Sequence, residues 1–129
     1  MNILQMLDIP WDSGLAHYAL ILAQALKREG HAVYFSAIPG DKPWAKAHRL
    51  GLRTVPLSTV KGLTALRGFL KKHEIDLLNA HTGSTHSLAV ASALGQKVAV
   101  VRTRSDARAI RRRVGAGFLF GHTQRIIAA

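Results

Sequence analysis

Residues 2–35 read NILQMLDIPWDSGLAHYALILAQALKREGHAVYF, and the periods within this stretch decide the fold. Asn2 to Asp8 is a short apolar run broken soon after by Pro10, as expected of a buried strand. Asp12 or Ser13 then caps a helix in which Leu15, Tyr18, Leu22, Ala25 and Leu26 recur on one face. Lys27 and Arg28 suit the negative end of that helix, and Gly30 is placed to end it. Ala32 to Ile38, β-branched and aromatic, makes a second strand. Both strands are continuously apolar rather than alternating, which predicts parallel strands covered on both faces.

Outward from this unit the alternation continues. PWAKAHRLG (43–51) is a short helix that Gly51 ends, and RTVPL (53–57) a brief strand whose Pro56 suits a sheet edge or a strand end. GLTALRGFLKKH (62–73) sets Leu63, Leu66, Phe69 and Leu70 on one helical face. IDLLNAH (75–81) is a strand, GSTHSLAVASALG (83–95) a helix and KVAVVRT (97–103) a strand. A basic helix over about Asp106 to Arg113 follows, then GFLFG (117–121) as a strand or buried helical turn, and RIIAA (125–129). The expected fold class is α/β: a single domain over residues 1–129, doubly wound, with a mostly parallel sheet flanked by helices. The apolar, strand-like ending on RIIAA suggests a domain cut from a longer chain.

Composition narrows the classes. Hydrophobic residues make up 48% of the 129, enough for a folded core and too many for extended disorder. No apolar run approaches the ~18 residues that span a bilayer, and Asp8 interrupts a start that lacks a basic region. There is no cysteine, so disulfides and thiolate metal sites are excluded and a reducing, cytoplasmic setting is the default. Net charge is +11 and uneven: from Lys27 onward, eighteen cations face five acids, a local +13. That excess calls for an anionic partner, whether nucleic acid, anionic lipid or a phosphorylated substrate.

In an open α/β sheet ligands bind beyond the carboxyl ends of the strands, where four loops carry polar residues: 10–14, 79–84, 103–106 and 121–123. At the first, Ser13 and Gly14 open a helix whose free N–H groups suit a phosphate, or they form an ordinary cap. Neither GxGxxG nor GxxxxGK[ST] is present, so a standard dinucleotide or P-loop site is not expected. At the second, His81 ends a strand before Thr82 and a helix; it can orient a sugar hydroxyl or exchange a proton, or simply be a satisfied strand-terminal histidine. His86, five residues on, fits no familiar helical metal pair, and no metal site is expected. At the third, Arg102 and Arg104 differ by two and share a strand face opposite Thr103, a pair suited to phosphate or carboxylate. Ser105 and Asp106 can cap the next helix, where Arg108, Arg111 and Arg112 share a face with Arg113 beside them.

These motifs, in this order, resemble the N-terminal half of a family 4 (group 1) glycosyltransferase of the GT-B fold. The carriers are NILQMLD, SGLAHYALILAQALKREGHAVYF with its Leu-x-x-x-Gly-His-x-Val helix end, IDLLNAHTG, VAVVRTRSD and QRIIAA, together nearly the whole chain. The resemblance implies a Rossmann-like, acceptor-binding half of a retaining enzyme. Such an enzyme moves a sugar from a nucleotide-sugar to a hydroxyl acceptor, lipid-linked or lipopolysaccharide. By position it puts Gly14 in the loop that approaches the donor diphosphate, with Ser13 where a first glycine often stands. His81 falls at the acceptor cleft and Arg104 to Asp106 at the transfer centre, with Thr82 and Arg102 counted among the residues that bind acceptor or donor phosphate. Ser105 and Asp106 are then the catalytic candidates, although a serine cannot supply the acid or base function of the histidine often found there. Asn79 replaces the first histidine of a His-x-His pair. No cofactor is implied, since the nucleotide-sugar is a substrate. The family holds it mainly in a C-terminal domain with a Glu-x7-Glu motif, which Glu29 and Glu74 cannot form. The expectation is therefore a half that is inactive alone and partnered by a C-terminal GT-B domain.

Basic residues at Lys61, Arg67, Lys71, Lys72 and Arg111 to Arg113 are candidates for an anionic surface on the inner membrane. The rival reading is a non-catalytic α/β domain that binds anions or nucleic acid. Nucleic acid is the less expected partner: no helix-turn-helix, RRM, KH or zinc-finger signature is present, and aromatics are only 6% and scarcely interleaved with the cations.

Overall fold

The computed structural model describes residues 1–11, 13–104 and 123–128. The elements run β1 (Asn2–Met6), α1 (Gly14–Arg28), β2 (Ala32–Ala37), α2 (Lys42–Arg49), β3 (Arg53–Pro56), α3 (Leu57–Val60), α4 (Leu63–Lys72), β4 (Leu77–Ala80), α5 (Gly83–Ala93), β5 (Ala99–Arg104) and β6 (Arg125–Ala128). The six strands form one sheet in the order β3-β2-β1-β4-β5-β6, and every neighbouring pair is parallel. Pro56 ends β3, which is the edge strand, where the missing N–H leaves no ladder bond unmade. The expected basic helix and the GFLFG segment lie outside the described residues.

Chain order places the helices. Stepping from β1 to β2 to β3, the connections α1 and α2 cover one face; after the jump back to β4, the connections α3, α4 and α5 cover the other. Right-handed crossovers require this, because the direction of travel across the sheet reverses at β1. Leu4, Met6, Leu78, Ala80 and Val100 point into the core beneath α3, α4 and α5, including Leu66, Leu70 and Val90. Leu7, Val33, Phe35 and Ala37 point the other way, toward Ala16, Ala19, Leu20 and Ala23 of α1 and Ala47 of α2. With both faces covered, strands read as unbroken apolar runs.

The buried face of α1 differs from the one its leucines predict. Ala16, Ala19, Leu20 and Ala23 are buried, Ala25 is exposed, and Leu15, Tyr18, Leu22 and Leu26 are half-buried along the flanks. Small alanines let the helix axis lie close to the sheet, and the larger residues then wrap its sides; a count of apolar spacing weighs hydrophobicity and not size. In α4 the expected Leu66, Phe69 and Leu70 are buried while Leu63 is 48% exposed at the first turn.

Helix ends follow their sequence signals. Ser13 caps α1, its Oγ accepting from Ala16 N at 3.1 Å. Removing that acceptor with Ser13→Ala is expected to cost about 1 kcal/mol, a fall in Tm of roughly 3–5 °C in a thermal melt. Gly30 (φ +95°) and Gly51 (φ +72°) end α1 and α2 in the left-handed region that a side chain rarely adopts. At Gly51 a Cβ would also stand 3.1 Å from the Lys27 ammonium, which donates to the Gly51 carbonyl at 2.6 Å.

Candidate functional site

The strand order reverses between β1 and β4, and at such a point the loops leaving the two strands part to opposite faces and open a cleft. The loop after β1 leads to Ser13 and the N-terminus of α1; the loop after β4 is His81 and Thr82, opening α5. Ser13 and Gly14 thus follow the end of β1 and Thr82 the end of β4, with His81 buried beneath Thr82's turn. Gly14 is exposed, and a Cβ there would meet nothing within 4 Å, so the first turn of α1 is open to approach. Thr82 caps α5 in a reciprocal box: it accepts from Thr85 N at 3.3 Å, and its own N–H donates to Thr85 Oγ1 at 3.1 Å.

Beneath the cleft the sheet carries a buried polar row on the α1 side. His81 is 1% exposed, and its Nε2 lies 2.5 Å from Gln5 Oε1. Since that oxygen accepts, the imidazole carries its proton on Nε2 and presents a lone pair at Nδ1. Neither His81 Nδ1 nor Gln5 Nε2 has a hydrogen-bond partner among the described residues. Thr103 Oγ1 donates to Asn79 Oδ1 at 2.9 Å, so Thr103 faces away from Arg102, as strand alternation requires. Asn79, standing where the resembled pattern has a histidine, is thus engaged in joining β4 to β5.

Arg102 lies half-buried on β5, on the α5 side of the sheet. Burial, with the Arg102 guanidinium second, pulls the His81 pKa from 6.5 to about 4. The same causes in the same order lower His86 to about 4. His86, on α5, sets its Nε2 2.8 Å from Thr123 Oγ1. Both histidines are therefore neutral at pH 7, and neither is a ready proton donor there. Arg104 is the last residue of β5; Ser105, Asp106 and Arg108 to Arg113 lie outside the described residues. Among the described residues no three His, Asp or Glu side chains gather closely enough to hold a metal.

One part of the cleft went unread in the sequence. On the α3 and α5 side of β1 lies an open pocket of about 150 Å³, lined by Met6, Asp8, Leu57, Lys61, Ser84, Thr85 and Leu88. Asp8 Oδ2 accepts a short hydrogen bond from the Ser84 hydroxyl. An isolated carboxylate just past an apolar strand was the available signal, but it reads equally as a strand breaker.

Sequence and structure comparisons bear on this geometry as follows. No curated protein sequence matches the chain. Among solved structures, MurG of Acinetobacter baumannii superposes with a TM-score of 0.74 at 15% identity, covering 99% of this chain and 41% of MurG. A glycosyltransferase from Rickettsia africae ESF-5 gives 0.79 at 11% identity, covering 98% of this chain and 36% of that one. A glucose dehydrogenase of Haloferax mediterranei, solved with NADP, gives 0.56 at 14% identity, covering 99% and 36%. The chain thus spans well under half the length of these neighbours. At such identities they establish a fold, and that fold serves both sugar transfer and hydride transfer. What separates the two is the sequence profile of Glycosyltransferase Family 4, which matches residues 13–128, from the cap of α1 to the last residue of β6. With that match across nearly all of an α/β domain of GT-B type, the chain belongs to glycosyltransferase family 4.

Proposed function

We propose that this domain is the acceptor-binding half of a retaining glycosyltransferase that moves a sugar from a nucleotide-sugar to a hydroxyl of a lipid-linked or lipopolysaccharide acceptor. The observation that carries the reading is the strand-order reversal between β1 and β4 in a family 4 chain, with the open N-terminus of α1 following one strand and Thr82 the other. The exposed first turn at Ser13 and Gly14 suits the donor diphosphate, because unpaired N–H groups and the helix dipole favour phosphate. His81 is assigned to the acceptor side as a positioning residue beneath the cleft, its buried ring held by Gln5 Oε1. Arg102 and Arg104 are assigned to anion binding by their positions on β5, and Ser105 and Asp106, next in sequence, to the transfer centre. No cofactor enters the proposal, and the nucleotide is held mainly by a second domain.

The test is release of nucleotide from a panel of nucleotide-sugars. The complete product of the reading frame is expected to release it in the presence of a hydroxyl acceptor, with retention at the anomeric carbon, and residues 1–129 alone are not. Turnover by residues 1–129 alone would overturn the claim of inactivity; no turnover by the complete protein would overturn the transferase reading.

Among the described residues no helix is long and apolar enough to cross a membrane. A peripheral position on an anionic surface is part of the proposal, and its support is the exposed Lys61, Lys71 and Lys72. Arg67 is committed elsewhere: it donates to the Ser92 and Leu94 carbonyls at 3.3 and 2.8 Å, closing the C-terminal end of α5. Sedimentation with vesicles containing anionic lipid, weakening as salt rises, is the expected result. Equal binding to neutral vesicles would remove this part of the proposal.

A further inference from the structure

We infer that the pocket between α3 and α5 is a subsite for one pyranose ring, in which the Asp8 carboxylate accepts hydrogen bonds from the ring hydroxyls. The inference rests on the acceptor-binding reading above and names the group that this half recognises. Its volume, about 150 Å³, is half or less of the ~300 Å³ at which pockets for drug-sized ligands begin. A single sugar ring suits that space, and a nucleoside diphosphate does not.

The lining divides as a sugar ring divides. Met6, Leu57 and Leu88 form apolar walls, a match for the C–H face of a pyranose. Asp8, Ser84 and Lys61 supply the polar groups, a match for its hydroxyl edge. A carboxylate such as Asp8 offers acceptor oxygens, so its natural partners are donors. The Ser84 hydroxyl already bonds to it, so the carboxylate accepts from an O–H group of the pocket lining. Hydrogen bonds to an ionised acceptor are the stronger kind, so hydroxyls of a ring are well held there.

Charge selects against the obvious alternative. The chain carries +11 overall, and phosphate is expected to seek its cationic surfaces. Asp8 sets a negative charge inside this pocket, and a phosphate beside it would meet like-charge repulsion in a partly desolvated site. Lys61, with three donors at the rim, can hold ring oxygens without creating a phosphate site while Asp8 stands opposite.

The experiment is a ¹H–¹⁵N correlation titration of the 129-residue chain with methyl glycosides of glucose, galactose, mannose and N-acetylglucosamine to 100 mM, and separately with inorganic phosphate. At least one glycoside is expected to give saturable shifts at the amides of Asp8, Ser84, Thr85 and Leu88, and phosphate is not. Asp8→Asn, similar in shape, and Asp8→Ala should each weaken that binding at least tenfold, with dispersed spectra showing a retained fold. In the transfer assay of the complete protein, Asp8→Asn should raise the acceptor KM and leave the donor KM unchanged. Phosphate shifts at these amides without glycoside shifts, glycoside shifts that Asp8→Asn leaves intact, or no glycoside response would each overturn the assignment. Glycoside shifts confined to Gly14, His81 and Thr82 would overturn it too while leaving the acceptor reading standing, and that reading is decided separately by nucleotide release.

Discussion

Phe35→Ala is expected to cost about 3–5 kcal/mol, read as a drop in the urea midpoint followed by far-UV circular dichroism. Against the ~5–15 kcal/mol that a domain of this size holds in total, such a loss brings the fold close to failure. Phe35 has no exposed surface and belongs to the core between the sheet and α1. The size of the loss depends on whether neighbours can fill the space left. On the α1 side little can, because Ala16, Ala19 and Ala23 of the cluster end at Cβ and have no rotamer to swing inward, which leaves Leu20. The helix would have to move as a body, and its Ser13 cap and its flanking leucines resist that. Phe35→Leu, which keeps most of the volume, should cost no more than about 1.5 kcal/mol. A loss below about 2 kcal/mol for Phe35→Ala would mean that α1 collapses onto the sheet and that the alanine face is not rigid.

That alanine face also marks how far the sequence can be read. The strands and helices were legible because each is set by spacing within a dozen residues, and the edge position of β3 was legible because Pro56 lacks a donor. The α1 face was not: leucine spacing points to the flanks, and only the close approach of the sheet selects the alanines. α3, four residues long, is shorter than the period that would reveal it. The site divides in the same way. Ser13 and Thr82 carry local capping chemistry and could be placed from sequence. The Gln5–His81 and Asp8–Ser84 contacts each join residues 76 apart, across β1 and β4. Strand order brings them together, and no local period encodes strand order. The pocket lined by Asp8 and Ser84 likewise needed the fold.

Acidification is expected to unfold this domain earlier than its carboxylates alone would. His81 is 1% exposed and has its pKa pulled from 6.5 down to about 4, by burial first and by Arg102 second. Above pH 6.5 the ring is neutral in both folded and unfolded chains, and the full stability is present. Between 6.5 and about 4 the unfolded chain takes up a proton that the folded one refuses, so stability falls as pH falls. Below about 4 both forms are protonated and the loss, on the order of 3 kcal/mol, is complete. His86 adds a loss of the same sign over the same window. Carboxylates titrate chiefly below about 4.5, so the interval from pH 6.5 to 5 isolates the histidines. Urea midpoints should decline across that interval in the native chain, less in His81→Asn, and least in the variant carrying both His81→Asn and His86→Asn. A native chain whose midpoint holds constant from pH 7 to 5 would show His81 to be solvated, contrary to its place under the cleft. The functional consequence is specific. A histidine held neutral by burial cannot act as the acid of a transfer reaction near neutral pH, so activity lost between pH 6 and 5 should track the unfolded fraction. A single protonation that leaves the fold intact would point instead to a catalytic group outside this buried pair.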